Sequence, residues 1–289
     1  MAIETLQLKI AAEKAIETAH KAIAPLKDFA ISFNAAETLK GSAVRVPVFN
    51  VGDAAEFDAE SNNYEGSTQG VTGVDVNLNN HLVKSVFYTD RDFVECDVNF
   101  FEGAGKAIAT VLAKGAVDQV AGLINSTNVS ASAQMTIANW ASKNTVANLY
   151  KIADDNGMYP GECVLLVAPA AFASLLSMLD ANVYGGDEAI KKGYISGLYG
   201  FKSVIMCNAL GSGMTGAIVH SEAIGIAGRV LPADAAAYTE VGTITDEHTG
   251  LTIGFRRFSN PATGKRYLAG EMLYGAQLLQ PTKVVRLTV

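Results

Sequence analysis

Residues 42 to 83 constrain this chain more than any other stretch. SAVRVPVFNV alternates, with Val44, Val46 and Val48 on one face. VDVNLNNHLV alternates again, with Val74, Val76 and Leu78 facing one way and Asp75, Asn77 and Asn79 the other. The polar stretch GDAAEFDAESNNYEGSTQGVTG lies between them. The pattern predicts a long β-hairpin with a large tip. Pro47 has no N–H to give to a ladder, so this is an edge strand or a two-stranded ribbon. An isolated two-stranded hairpin is marginal in water, so one this long needs a partner. The tip carries Asp53, Glu56, Asp58, Glu60 and Glu65, with no Lys or Arg between Val51 and Gly70. As a solvated loop this composition requires nothing further. As a docking element it would seek a basic surface.

The remaining chain reads as mixed helix and strand. Residues 3 to 24 predict a helix ended by Pro25, either packed on its own domain or laid as an arm on a neighbour. Residues 98 to 125 predict the strongest helix. Ile108, Val111, Leu112, Val120, Leu123 and Ile124 hold helical spacing, and a dense set of small residues permits close approach of another element. Residues 126 to 134 read as a linker. A second module follows: a helix over 143 to 156 stopped by Gly157, the continuously apolar strand CVLLVA, and a helix opened by Pro169. A Gly/Tyr-rich excursion over 182 to 200 comes next, then strands at SVIMC and AIVHS, with a short helix expected over Glu222 to Gly228. YTEVGTIT, LTIGFRRF and KRYLAGEMLYGAQLL alternate as strands, SNPATG turns a hairpin, and KVVRLTV closes the chain.

Composition excludes several function classes. With 289 residues and 49% hydrophobic content, the chain is long enough for a real core and is not disordered. A net charge of -7 and a pI of 5.2 argue against sequence-wide phosphate binding, although local patches remain open. Cys96, Cys163 and Cys207 are odd in number and far apart, so neither a disulfide framework nor a zinc knuckle is expected, and a reducing compartment fits. The N-terminal stretch reads as no signal peptide, and no run approaches a membrane span.

The motifs of catalysis are absent. There is no phosphate-binding GxxxxGK[ST], no GxGxxG, no GxSxG and no HExxH. GYISG around Ser196 only resembles a nucleophile elbow. His220 and Glu222 form an HxE that no PCxxC follows. His20, His81, His220 and His248 are isolated, and the three thiols, Cys96, Cys163 and Cys207, are expected to sit in apolar contexts as inert core residues. Asp90 and Asp92 form a DxD that could hold a divalent ion, but a strand-to-helix junction with cap acids explains it equally well. The expectation is no enzyme, no cofactor and no metal.

The order of helical arm, long hairpin, spine-like helix, α/β module with a Gly-rich excursion and late hairpins resembles the major capsid proteins of tailed bacteriophages. These share the Hong Kong 97-type fold with encapsulins. GSAVRVPVFNV with its VDVNLNNHLV return is similar to the family's extended loop. YTDRDFVECDVNFFEGAGKAIATVLAKGAVDQV is similar to its spine helix and lead-in. YPGECVLLVAPAAFASLL with YGGDEAIKKGYISGLYGFKSVIMCNAL is similar to the axial domain, and HSEAIGIAGR and TGLTIGFRRFSNPATGKRYLAGEMLYG also fit.

The resemblance implies an α+β fold in four parts. These are an N-terminal arm (1–40), an extended loop (41–87), a peripheral domain (88–135 and 237–280) and an axial domain (136–236 and 281–289). It implies self-assembly as pentamers and hexamers into an icosahedral shell that encloses double-stranded DNA without reading its sequence. Such a subunit is made in the bacterial host cytoplasm and ends in the virion. Scaffolding, portal and decoration proteins are its possible partners, and membranes are not. An encapsulin-like shell around a cargo enzyme, or a soluble α/β enzyme with an unrecognised site, are the alternatives.

Some relatives cross-link through a lysine on the extended loop. Residues 41 to 83 hold no lysine, so no cross-link from the tip is expected. Only about 40 residues precede the hairpin, so a scaffold, if needed, is expected as a separate protein. The acidic tip residues Glu56, Asp58, Glu60 and Glu65 are expected to dock on Arg256, Arg257, Lys265 and Arg266 of the adjacent subunit. Tyr184, Lys191, Lys192 and Tyr194 are expected near the capsomer axis, with ordinary loop packing as the alternative.

Overall fold

The computed structural model describes residues 15, 18–19, 23–33, 43–49, 70–95, 100–130, 133–178, 194–196, 200–232, 238–246 and 249–289. Helix α1 includes residues 23–29 and leads into β1 (Ile31–Phe33). β2 (Ala43–Phe49) and β3 (Val71–Asn77) form the hairpin, and β4 (Asn80–Thr89) runs on into α2 (Asp90–Glu95) and the long α3 (Phe100–Gly122). The second module holds β5 (Gln134–Thr136), α4 (Lys143–Asp155), β6 (Cys163–Val167), α5 (Pro169–Met178), β7 (Tyr194–Ser196), β8 (Ser203–Met206) and β9 (Met214–His220). β10 (Ile224–Arg229), β11 (Glu240–Thr245), β12 (Thr252–Asn260), β13 (Lys265–Leu278) and β14 (Val284–Thr288) complete the chain.

Among the described residues the strands form two six-stranded sheets and one ribbon. In sheet one the order is β1-β10-β13-β12-β11, with β4 also paired to β13. Residues 273 and 274 of β13 pair with both β4 and β10, so these two lie on opposite edges of the long strand. β12 and β10 therefore sit end to end along one edge. In sheet two the order is β5-β14-β9-β6-β8-β7. Among the described residues the chain passes between the sheets three times: from β4 through α2 and α3 to β5, from β9 to β10, and from β13 to β14. β10, within the expected 136–236 segment, pairs with β13 of the 237–280 segment.

Two cores follow from this layering. The first joins α1, α3 and sheet one to one face of sheet two, through Val164, Leu166, Ala217, Val219 and Val284. The second packs α4 and α5 on the other face, through Leu149, Phe172, Cys163, Leu165 and Val167. β6 thus feeds alternate residues into both cores, which is why its run is continuously apolar. Helix α3 lies on β4 and β13. There Gly270 admits Ile108 and Leu112, and Gly115 faces Leu82.

The ribbon pairs Val44 with Val76 and Val46 with Val74, and Pro47 sits opposite Gly73 in a strand with a single partner among the described residues. Val44, Val46, Val48 and Val76 are buried against Ala227 and Leu279. Burial of each such side chain is worth about 1.5–3 kcal/mol. The base of the hairpin is thus anchored on its own chain.

Two expectations are corrected. Pro25 does not end α1, since helix continues to Phe29 and the Ala30 N–H donates to the Leu26 carbonyl. Burial of Leu26 and Phe29 outweighs the proline's local preference. Glu222 to Gly228 is not a short helix. Its residues from Ile224 onward are β10, held between β1 and β13. A Cβ at Gly225 would press on both Phe33 and Leu279, so close packing across the sheet decides the conformation.

Candidate inter-subunit surfaces

Glu56, Asp58, Glu60 and Glu65 lie outside the described residues, as do Tyr184, Lys191 and Lys192. Tyr194 begins β7, where its backbone pairs with Ile205 of β8. The four basic residues are all described. Because side chains alternate across a strand, consecutive Arg256 and Arg257 point to opposite faces of sheet one. The register places Arg266 opposite Ser259 and Lys265 opposite Asn260. Arg257 and Arg266 therefore share the face toward α3, and Arg256 and Lys265 share the outer face. The four do not form one patch.

On the α3 side, Arg257 is buried, with Nη1 3.6 Å from Glu240 Oε2 and its guanidinium 5.6 Å from the centre of the Phe101 ring. With Thr239, Phe258, Ser259 and Arg266 it lines a cleft of about 210 Å³. On the outer side, Arg256 donates to Glu271 Oε1 and, at 2.9 Å, to the Tyr238 hydroxyl. Burial alone would lower its pKa, but the Tyr238 hydrogen bond and the Glu271 charge outweigh that and hold it above its usual range.

The outer face carries a feature that sequence reading missed. Phe87 of β4, Tyr267 of β13, Phe258 of β12 and Tyr238 beside β11 form a row across the sheet. Ring centres are 6.2 Å apart for Phe87 and Tyr267, 4.9 Å and stacked for Tyr267 and Phe258, and 6.1 Å for Phe258 and Tyr238. Cations cap both ends: Lys265 Nζ is 4.4 Å from the Phe87 ring centre, and the Arg256 guanidinium is 4.9 Å from that of Tyr238. Phe87 is 56% exposed and Val83 on the same strand 58%. Tyr267, Phe258 and Tyr238 are half-buried, so the row reaches water mainly at its Phe87 end. The available signal was parity: Tyr88 is the core residue of β4, so Phe87 must face out.

No family model matches the chain, and no curated protein matches it. Solved structures do match, over nearly its whole length. The capsid of a native GTA particle aligns with 93% of this chain and 90% of its own, at a TM-score of 0.60 and 12% identity. A virus-like particle from Pyrococcus furiosus aligns with 96% and 97%, at 0.57 and 14%. The capsid of the cyanophage P-SCSP1u aligns with 91% and 86%, at 0.54 and 13%. The chain has the phage-capsid fold.

His20, His248 and Cys96 lie outside the described residues, and within this capsid fold His220, Asp92, Cys163 and Cys207 are held by local hydrogen bonds and burial. His220 is buried. Its Nδ1 accepts the Glu222 N–H at 3.2 Å, so Nε2 carries the proton and donates to Glu162 Oε2 at 3.0 Å. Asp92 accepts the Thr89 N–H at 2.9 Å and the Thr89 hydroxyl at 2.8 Å, while the Asp92 N–H donates back to Thr89 Oγ1. This is a capping box at the β4–α2 junction. Burial, followed by the Glu162 charge, pushes the Cys163 thiol up to about 11, and burial raises Cys207 as well. Among the described residues, no three His, Cys, Asp or Glu side chains converge to hold a metal. None of the described helices is long and apolar enough to cross a membrane.

Proposed function

We propose that the chain is the major capsid protein of a tailed phage, a Hong Kong 97-type subunit that assembles as pentamers and hexamers into an icosahedral shell around double-stranded DNA. The observation that carries this reading is the near end-to-end likeness to solved capsids, on a subunit that leaves Phe87 and Val83 of β4 exposed. In this reading residues 1–40 are the arm, 41–87 the extended loop, 88–135 and 237–280 the peripheral domain, and 136–236 and 281–289 the axial domain. The subunit itself is no enzyme. Tyr184, Lys191, Lys192 and Tyr194 lie toward the capsomer axis.

The acidic tip residues Glu56, Asp58, Glu60 and Glu65 then dock on the adjacent subunit's sheet one. Arg256 and Arg257 already neighbour Glu271 and Glu240, so Lys265, at the end of the aromatic row, is the cation best placed to receive the tip. Each exposed pair is worth at most about 1 kcal/mol, but repetition around a shell makes the sum decisive for register. Reversal of all four tip acids is expected to impair assembly while leaving the subunit folded. Normal shells from that variant would sink the docking scheme.

A second reading, an encapsulin-like cellular shell, draws on the alignment with the Pyrococcus furiosus virus-like particle, which covers nearly all of both chains. Negative-stain microscopy of the purified protein tests both. Shells, or rings of five and six, support a shell subunit, and packaged DNA rather than protein cargo selects the phage reading. A uniform monomer or dimer at high concentration, with no scaffold present, would count against both.

A further inference from the structure

We propose that His220 is a proton-sensitive latch on the two short links that join the sheets, β9 to β10 and β13 to β14. The proposal starts from where the imidazole sits. His220 ends β9 in sheet two, and after three intervening residues the chain becomes β10 in sheet one. Both ring nitrogens are used: Nε2 toward Glu162 at 3.0 Å and Nδ1 toward the Glu222 N–H at 3.2 Å.

The second link is tied to the first. The Ala223 carbonyl accepts the Leu279 N–H at 2.8 Å and the Gln280 N–H at 3.3 Å. Lys283 Nζ lies 3.5 Å from Glu222 Oε2. The Ala223 N–H returns to the His220 carbonyl at 3.0 Å, and the Ser221 N–H donates to the Glu162 carbonyl at 3.2 Å. A displacement of residues 221–223 therefore moves both crossings together.

Neutral His220 fits this site because Nδ1 is an acceptor. A proton taken from solvent at Nδ1 turns that nitrogen into a donor facing another donor, the Glu222 N–H. The link must then swing away to give the new N–H a partner. The charged and titratable groups around the ring do not prevent this. Glu162 faces Nε2, and its carboxylate is exposed and keeps its bond in either state. Cys163, the cross-strand partner on β6, is a neutral thiol. Glu222 and Lys283 lie on the links themselves, and beyond Cys163 the Lys202 ammonium is held by Asp28 at 3.8 Å. Acidification therefore leaves His220 anchored to Glu162 while it releases Glu222, and the hold of one sheet on the other loosens.

Hydrogen exchange read by mass spectrometry on the full chain, in one assembly state throughout, tests the latch. Between about pH 7.5 and pH 5.5, which brackets the ordinary histidine range, protection of the Glu222, Leu279 and Gln280 amides is expected to fall at least tenfold. Protection in β6 should hold. His220→Asn places a non-titrating acceptor where Nδ1 sits, and its protection should change less than twofold. No loss in the wild type, or an equal loss in the variant, overturns the proposal. If His220→Asn fails to fold, the wild type still decides by NMR. The His220 ring and the Glu222 amide must titrate with one midpoint, and two different midpoints reject the latch.

Discussion

Gly270 of β13 lies directly beneath Ile108 of α3, so close that a Cβ at position 270 would overlap the Ile108 Cγ2 methyl. Leu112 and Phe255 close the other sides of the same spot. Both Ile108 and Phe255 are fully buried, so neither can retreat into solvent. Gly270→Ala is therefore expected to destabilise the subunit by about 1–3 kcal/mol through overpacking. Thermal unfolding of the unassembled subunit measures this, and a variant as stable as the wild type would show that α3 can lift from the sheet.

The aromatic row separates folding from association. Phe87 is largely exposed, and its contacts within the chain are with Tyr267 and Lys265. Phe87→Ser should cost about 0.5–1 kcal/mol of subunit stability through those lost contacts. If the row is buried between subunits, the same change removes a larger apolar area at every contact. A loss of about 1.4 kcal/mol per contact raises the concentration needed for assembly roughly tenfold. Light scattering against protein concentration reads the threshold. An unchanged threshold would remove the row from the interface.

The contrast between β2 and β12 explains what could be read in advance. The hairpin declares itself because its alternation is local and one face is uniformly valine, so both the pairing and the edge position of Pro47 follow from the residues. β6 declares itself because both of its faces are covered. The aromatic row is invisible because Phe87, Tyr238, Phe258 and Tyr267 come from separate stretches and meet only in the register of sheet one. Arg256 and Arg257 mislead for a related reason. Adjacent in sequence, they look like one patch, but a strand sends them to opposite faces. The β10 segment misleads because Glu and Ala at its start favour helix, while its conformation is set by strands more than 40 residues away.

The capping box at Thr89 and Asp92 has a defined pH dependence. Backbone and side-chain hydrogen bonds from Thr89 lower the Asp92 pKa below the usual carboxylate value. The folded value is thus below the unfolded one, so the stabilisation is fully present above about pH 4 and is lost as pH falls through the folded pKa. Asp92→Asn should remove this acid dependence from the α2 terminus. NMR titration of the Thr89 amide checks it: the wild-type signal should shift only at pH values below about 4, and the variant's should not shift.

The buried thiols give a test of both cores, Cys163 of the second and Cys207 of the first. Cys163 faces Leu165 and Val167 of its own strand's inner side, and its Sγ lies 3.3 Å from the Tyr159 carbonyl, to which it donates. With its pKa pushed up to about 11, first by burial and then by Glu162, only a trace of thiolate exists near neutral pH. Cys207 is buried and raised in the same direction. Iodoacetamide at about pH 8, close to the reactivity range of a free thiol, should therefore leave both sites unmodified in the folded subunit and alkylate both in denaturant. Peptide mapping resolves each site. Rapid alkylation of Cys163 without denaturant would mean that β6 opens to solvent on the timescale of labelling, and that the sheet-two core is less closed than its packing requires.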